Sequence, residues 1–529
     1  MQDLGWDFPY PSRRMPVMAR NVVATTQPLA AQAGLRMLLQ GGSAADAAIA
    51  TAIALTVVEP TMNGIGSDAF ALAWDGNRLH GLNASGPSPA EWTPKRFSGR
   101  SDMPTEGWDA VTVPGAVSGW VALWKRFGKL RFASLFEPAI EYARQGFPIS
   151  HVVSRQWQAQ LPRVKDQPGF AQAFLRDGRA PRAGEMLQFP EHARTLESIA
   201  LTEGESFYRG ALAEKIASFA KQCGGAMTTH DLAAFHPEWV APLGQQYRHC
   251  QAHEIPPNGQ GIAALMALGI LEHFDLRTPS PDSAEVLHLQ IEAMKLAFVD
   301  VYRFVADPGR MSHSPQNLLD PDYLKSRAAL IRKDSVTSAR HGTPSASGTV
   351  YLTAADAAGN MVSYIQSNYT GFGSGVVVPE TGIALQNRGA GFSLEPGHPN
   401  EVAGGKRPFH TIIPGFLTHD AQALMSFGVM GGDMQPQGHV QMVSRVIDGG
   451  QNPQAAADAP RWKITKDGRL LVEAAFSGHT ARQLEDWGHR VMRAEPDSTE
   501  FGAAQMILQR DGYYLAASEP RRDGQAVGF

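Results

Sequence analysis

Gly348-Thr349-Val350-Tyr351-Leu352-Thr353, followed by Asp356, Gly359-Asn360, Ser367 and Phe372-Gly373-Ser374-Gly375, decides how the rest of this chain is read. Just upstream, Thr343-Pro344-Ser345-Ala346-Ser347 is small and polar, and the stretch from Arg332 to Ser347 is the one convincing internal boundary. A threonine heading the apolar strand that follows is ordinary unless the chain is cut before it. A threonine hydroxyl is a weak nucleophile until a base sits beside it, and an α-amino group, with a pKa of about 7.7 to 8.0, is such a base. While Gly348–Thr349 is intact, that nitrogen is an amide and takes no proton. Cleavage there would create nucleophile and base on one residue, and Gly348, lacking a side chain, lets the hydroxyl approach the preceding carbonyl.

Outward from this point, periodicity and caps predict helices over Pro28 to Gln40, with Thr26 as the cap and Gly41-Gly42 as the stop, and from Ser43 onward, where Ser43 and Asp46 make a capping box. Phe132 to Gln145 and Ala193 to Glu203 also read as helical. Val286 to Ala306 is a long helix with Leu287, Ile291, Met294, Phe298 and Val301 on one stripe. Pro256-Pro257-Asn258-Gly259-Gln260-Gly261 is a turn into an apolar helix, and strands are expected over Val350 to Ala355, Met361 to Ile365, Ile412 to Thr418, Ala423 to Val429 and Tyr513 to Ala516. Helices on either side of strand-rich segments imply a layered α/β domain, without fixing the number of layers.

The composition narrows the function classes. The chain has 529 residues, 43% of them hydrophobic, and a net charge of −4, with no dense basic run to bind nucleic acid. Two cysteines, Cys223 and Cys250, are too few for a disulfide framework and read as buried free thiols. Met1 to Tyr10 lacks the apolar run of a signal peptide and no window approaches 18 consecutive apolar residues, so the expectation is a cytoplasmic protein with no membrane association. Gly64-Ile65-Gly66-Ser67-Asp68-Ala69 imitates a dinucleotide fingerprint but follows a helical stretch instead of opening a helix after a strand, and no cofactor is expected. No serine lies in Gly-x-Ser-x-Gly context, and the histidines and cysteines show no metal-ligand spacing, so no metal is expected either.

The Gly348-Thr349 context, Gly41 to Ala48, Val58-Glu59-Pro60 before Gly64-Ile65-Gly66, Lys406-Arg407-Pro408-Phe409-His410-Thr411 and Gly431-Gly432 together resemble the γ-glutamyltranspeptidase family. The resemblance implies a four-layer αββα sandwich of the N-terminal nucleophile hydrolases and a precursor that cuts itself between Gly348 and Thr349. The resulting large subunit, 1–348, and small subunit, 349–529, would stay associated. It further implies that Thr349 attacks, that Ser367 stands where the family uses a threonine to hydrogen-bond the nucleophile hydroxyl, and that Gly431 and Gly432 offer backbone N–H groups to the oxyanion. His410 and Thr411 replace two family serines that contact the substrate carboxylate.

Recognition is where the chain departs from the family. Asn83 stands in place of an arginine and Gly391 in place of an aspartate that together hold the glutamate zwitterion; Tyr369 replaces an asparagine that touches the substrate and Arg388 a glutamine. A γ-glutamyl group desolvated without those charges would cost several kcal/mol. Arg388 could instead hold a carboxylate through a two-pronged contact. The expected activity is hydrolysis of a small carboxylated amide, oxamate above others, with water as the second reactant. γ-Glutamyl hydrolysis or transfer, glutaryl-cephalosporin acylase activity, and an uncut homologue serving as a binding protein are the alternatives.

Overall fold

A computed structural model describes residues 14–337 and 348–529. Two seven-stranded antiparallel sheets form its centre. The first runs, in spatial order, Gln525–Gly528, Val22–Thr25, Gly348–Ala355, Met361–Tyr369, Asp68–Trp74, Leu79–Ala84 and Glu238–Val240; the second runs Val17–Ala19, Tyr513–Ala517, Ala503–Arg510, Gln422–Met430, Gly415–His419, Cys250–Glu254 and Leu243–Tyr247. Their inner faces interdigitate through Phe70, Leu72, Tyr351, Ile365, Phe416 and Ile507, all fully buried. Burying both faces explains why strands such as Met361–Tyr369 are buried at every residue instead of alternating with solvent.

Helices cover the two outer faces. Ala44–Val58, every residue buried and rich in alanine, packs with Pro28–Leu39 over the first sheet, and the small side chains allow that close approach. Gly261–Leu271, Ala284–Phe304 and Met434–Ile447 cover the second sheet. The result is the expected four-layer αββα sandwich.

Each predicted helix is present within a few residues, and the Ser43–Asp46 capping box forms as expected. The first helix is capped differently: Gln27 accepts from Leu29 and Ala30, while Thr26 donates to Glu59. The strand expected from Ile412 begins at Gly415, and the one expected over Met361 to Ile365 runs on to Tyr369. Cys250 is buried as expected but Cys223 is exposed, and neither is in a disulfide. The boundary loop lies largely outside the described residues, apart from its beginning, Arg332 to Thr337. No described helix is long and apolar enough to cross a membrane.

Each sheet contains strands from both sides of Gly348–Thr349. Gly348–Ala355 lies between Val22–Thr25 and Met361–Tyr369, and Cys250–Glu254 pairs with Gly415–His419. Two fragments produced by a cut at 348 would therefore share both sheets and the layer between them.

Candidate active site

The geometry at Thr349 starts from a sheet irregularity. Gly348 pairs with Tyr369 while Val350 pairs with Gln366, so Thr349 faces two residues, Ser367 and Asn368, across a β-bulge. The bulge breaks the ladder at Thr349 and turns its hydroxyl onto that of Ser367, 3.1 Å away, with both residues buried. Ser367 Oγ also accepts from the Tyr369 N–H at 2.8 Å and from Arg388 Nη2 at 3.1 Å. With these two donated bonds on its oxygen, the Ser367 hydroxyl can itself donate to Thr349, an arrangement that would suit a threonine oxygen gaining negative charge.

Arg388 is 0% exposed and does not line an open surface. Its Nη1 donates to Thr411 Oγ1 at 2.8 Å, its guanidinium stacks 4.5 Å from the centre of the Tyr369 ring, and its Nε lies 3.8 Å from Asp68 Oδ2. Burial lowers its pKa to about 10, with Asp68 opposing the shift, so it stays cationic at neutral pH. Asp68 is directly opposite Ser367 in the sheet and accepts from His410 Nε2 at 3.0 Å. Burial pushes the Asp68 carboxyl up to about 7, although Arg388 pulls it back. Burial, with Arg388 nearby, also holds His410 well below its ordinary range, so His410 is a neutral donor to Asp68. The sequence does not single out Asp68, which follows Gly64-Ile65-Gly66-Ser67; the one signal for it is a carboxylate heading a fully buried strand.

Gly431 and Gly432 follow the strand Gln422–Met430 with φ of 124° and 63°, conformations that favour glycine. Neither N–H donates to a protein acceptor among the described residues, and Gly431 shares a cavity of about 290 Å³ with Thr349. Gln260, which sequence reasoning did not single out, donates to the carbonyls of Thr411 at 2.7 Å and Gly432 at 2.8 Å and so ties the two segments together. A second cavity, of about 650 Å³, is lined by Tyr302, Tyr369, Gly391, Phe392, Phe409 and Thr411 among others. Tyr369, the last residue of its strand, lines this cavity, and the next residue, Thr370, lines the smaller one.

Not every expected residue reaches these cavities. Asn83 is buried in a closed network with Asn258 and Ser85. Gly391 borders the larger cavity, but a Cβ there would lie 2.5 Å from the Phe409 carbonyl, so the backbone would have to shift before any side chain fitted. Among the described residues, His288, Glu292 and His489 could in principle hold a metal, with ligand atoms within 4.8 Å of one another. Lys295 Nζ already serves as the cation there, 2.7 Å from Glu292 and 3.4 Å from His489 Nδ1.

Comparison with known proteins gives this geometry its context. The family model "Gamma-glutamyltranspeptidase" matches residues 30–529. The glutathione hydrolase-like YwrD proenzyme of Bacillus subtilis (strain 168) is 37% identical, over 96% of this chain and 98% of its own length. The oxamate amidohydrolase proenzyme of Klebsiella pneumoniae is 35% identical, over 95% and 97%. The crystal structure of cephalosporin acylase from Bacillus halodurans superposes with a TM-score of 0.96 at 48% identity, covering 100% of this chain and 99% of that one. This chain belongs to the γ-glutamyltranspeptidase family of N-terminal nucleophile hydrolases and is a self-processing amidohydrolase.

Proposed function

We propose that Thr349 becomes the N-terminal nucleophile on cleavage of Gly348–Thr349 and that the mature protein, fragments 1–348 and 349–529, hydrolyses an acyl amide whose acyl group fills the larger cavity. The observation that carries this reading is the buried 3.1 Å contact of Thr349 Oγ1 with Ser367 Oγ, in a cavity also lined by Gly431, whose N–H donates to no protein acceptor among the described residues. Thr349 Oγ attacks the amide carbonyl, and its proton passes through the freed α-amine to the leaving nitrogen as the C–N bond breaks. Gly431 and Gly432 hold the oxyanion, a service worth roughly 3 to 4 kcal/mol in comparable sites. Water then attacks the ester and releases the acid.

Within that class, a cavity of about 650 Å³ bordered by Tyr302, Tyr369, Phe392 and Phe409 supports an acyl chain longer than that of oxamate, such as a glutaryl group. The similarity to a cephalosporin acylase agrees with this. Oxamate remains the narrower reading, supported by the 35% identical oxamate amidohydrolase proenzyme. Asn83 and Gly391 carry no charge for a γ-glutamyl zwitterion. Release of ammonia, nitroaniline or free amine from oxamate, γ-glutamyl-p-nitroanilide and glutaryl-7-aminocephalosporanic acid decides among them. The glutaryl amide should give the highest kcat/KM, and preference for oxamate over both others would overturn the longer-acyl reading.

A further inference from the structure

The smaller cavity, which opens directly onto Thr349 and Gly431, has an uneven charge. Arg163, Lys463 and Arg522 line it, against a single carboxylate, Glu500. Two of the three cations are already engaged. Lys463 is 2.6 Å from Glu500 and 3.4 Å from Asp433, and Arg163 donates to the carbonyls of Gly371 and Gly373 and lies 3.4 Å from Glu106. Arg522 is different. It is only 7% exposed, and its Nε and Nη1 have no hydrogen-bond partner among the described residues.

Glu59, Glu519 and Asp523 attract Arg522 electrostatically, but among the described residues none of them lies within ion-pair distance of it. Glu519 is bound to Arg461 at 2.8 Å and to Arg521 at 2.9 Å. Glu59, pushed up to about 7 by burial, takes the Thr26 hydroxyl, and the Asp523 carboxyl is also raised by burial. Burial likewise lowers the pKa of Arg522 itself. A guanidinium buried with idle donors costs free energy until an anion meets it, and a carboxylate matches its two-pronged geometry.

We propose that Arg522 is a substrate-binding residue that takes a carboxylate borne by the amine half of the scissile amide, with Arg163 and Lys463 adding positive potential. This rests on the reading of Thr349 as nucleophile and of the larger cavity as the acyl site. Tyr369 lines the larger cavity, and its neighbour Thr370 lines the smaller one together with Thr349, so an amide poised at Thr349 with its acyl group in the larger cavity would leave its amine fragment to the smaller. The preferred substrates would then be amides of amino acids or other amino-carboxylic acids.

Equilibrium binding to the processed protein tests this without requiring turnover. The probes are 5-amino-2-nitrobenzoate, 4-nitroaniline and glutarate, a carboxylate carried by an amine, its neutral counterpart and an acid of the acyl type. Wild type should bind the aminonitrobenzoate about tenfold or more tighter than nitroaniline, the scale of one charge-assisted contact. Arg522→Gln should bring the two within about twofold while leaving glutarate unchanged. Arg522→Lys, which keeps the charge and loses the fork, should retain part of the preference and serves alone if the Gln variant does not fold. Equal binding of both anilines by wild type, a preference surviving in Arg522→Gln, or a loss confined to glutarate each overturns the proposal. Failure of the nucleophile reading would show separately, as turnover surviving in Thr349→Ala.

Discussion

Replacing Arg388 by Gln separates two roles for this cation. If Arg388 grips a substrate carboxylate, the variant raises KM and leaves kcat nearly unchanged; if it polarises Ser367 towards Thr349, kcat falls and KM holds. The geometry supports the second outcome, because Nη1 and Nη2 are committed to Thr411 and Ser367 and the Tyr369 ring covers the guanidinium. Two hydrogen bonds of 3.1 Å in series place the charge about 6 Å from Thr349 Oγ1. At an effective dielectric constant of about 20, a unit charge at that distance favours a developing anion by roughly 3 kcal/mol, part of which an ionised Asp68 offsets. The expected loss is about 10- to 100-fold in kcat, measured with the best amide from the substrate screen. A second readout is the pH profile. Asp68 titrates at about 7 with Arg388 holding it down, so without Arg388 its carboxyl rises further and the Asp68-linked limb of kcat moves to higher pH. A higher KM with unchanged kcat and an unmoved limb would refute the polarising role.

Thr349→Ala should abolish both self-cleavage and turnover, and Thr349→Ser should retain some of each; a new N-terminus at residue 349 in the alanine variant, found by mass spectrometry, would mean that another group attacks Gly348. Ser367→Ala should still be cut but turn over roughly ten- to a hundredfold more slowly, the scale of one hydrogen bond to a reacting group, and an unchanged kcat would remove Ser367 from the mechanism. Glu519, held at about 2 between Arg461 and Arg521 despite full burial, contributes stability above its unfolded value of 4.5 that is lost as pH falls through about 2. Glu519→Gln should therefore cost on the order of 3 kcal/mol in urea unfolding at pH 7 and about 1 kcal/mol at pH 3, and an equal cost at both pH values would rule out this linkage.

The chain itself specified what depends on local chemistry. Apolar runs of the right period became strands and helices, Ser43 and Asp46 closed their capping box, and Gly431-Gly432 sits where only glycine adopts the backbone comfortably. Thr349 and Ser367 were legible because 18 residues of hairpin connect them, so their contact is nearly a local one. What lay beyond the sequence depended on contacts between distant segments. Asp68 meets Ser367 only because its strand pairs with Met361–Tyr369, and an acid after a glycine run carries no mark of that pairing. Arg388 looked like a loop arginine available to substrate, yet the tertiary fold buries it and divides its donors between Ser367 and Thr411. Arg522, near the C-terminus, reaches the cavity at Thr349 because strands from the two ends of the chain share the same sheet. Residue types and their spacing determine which groups can react, whereas the charge and solvation that tune them are set by neighbours hundreds of residues away, and only the packed layers bring those together.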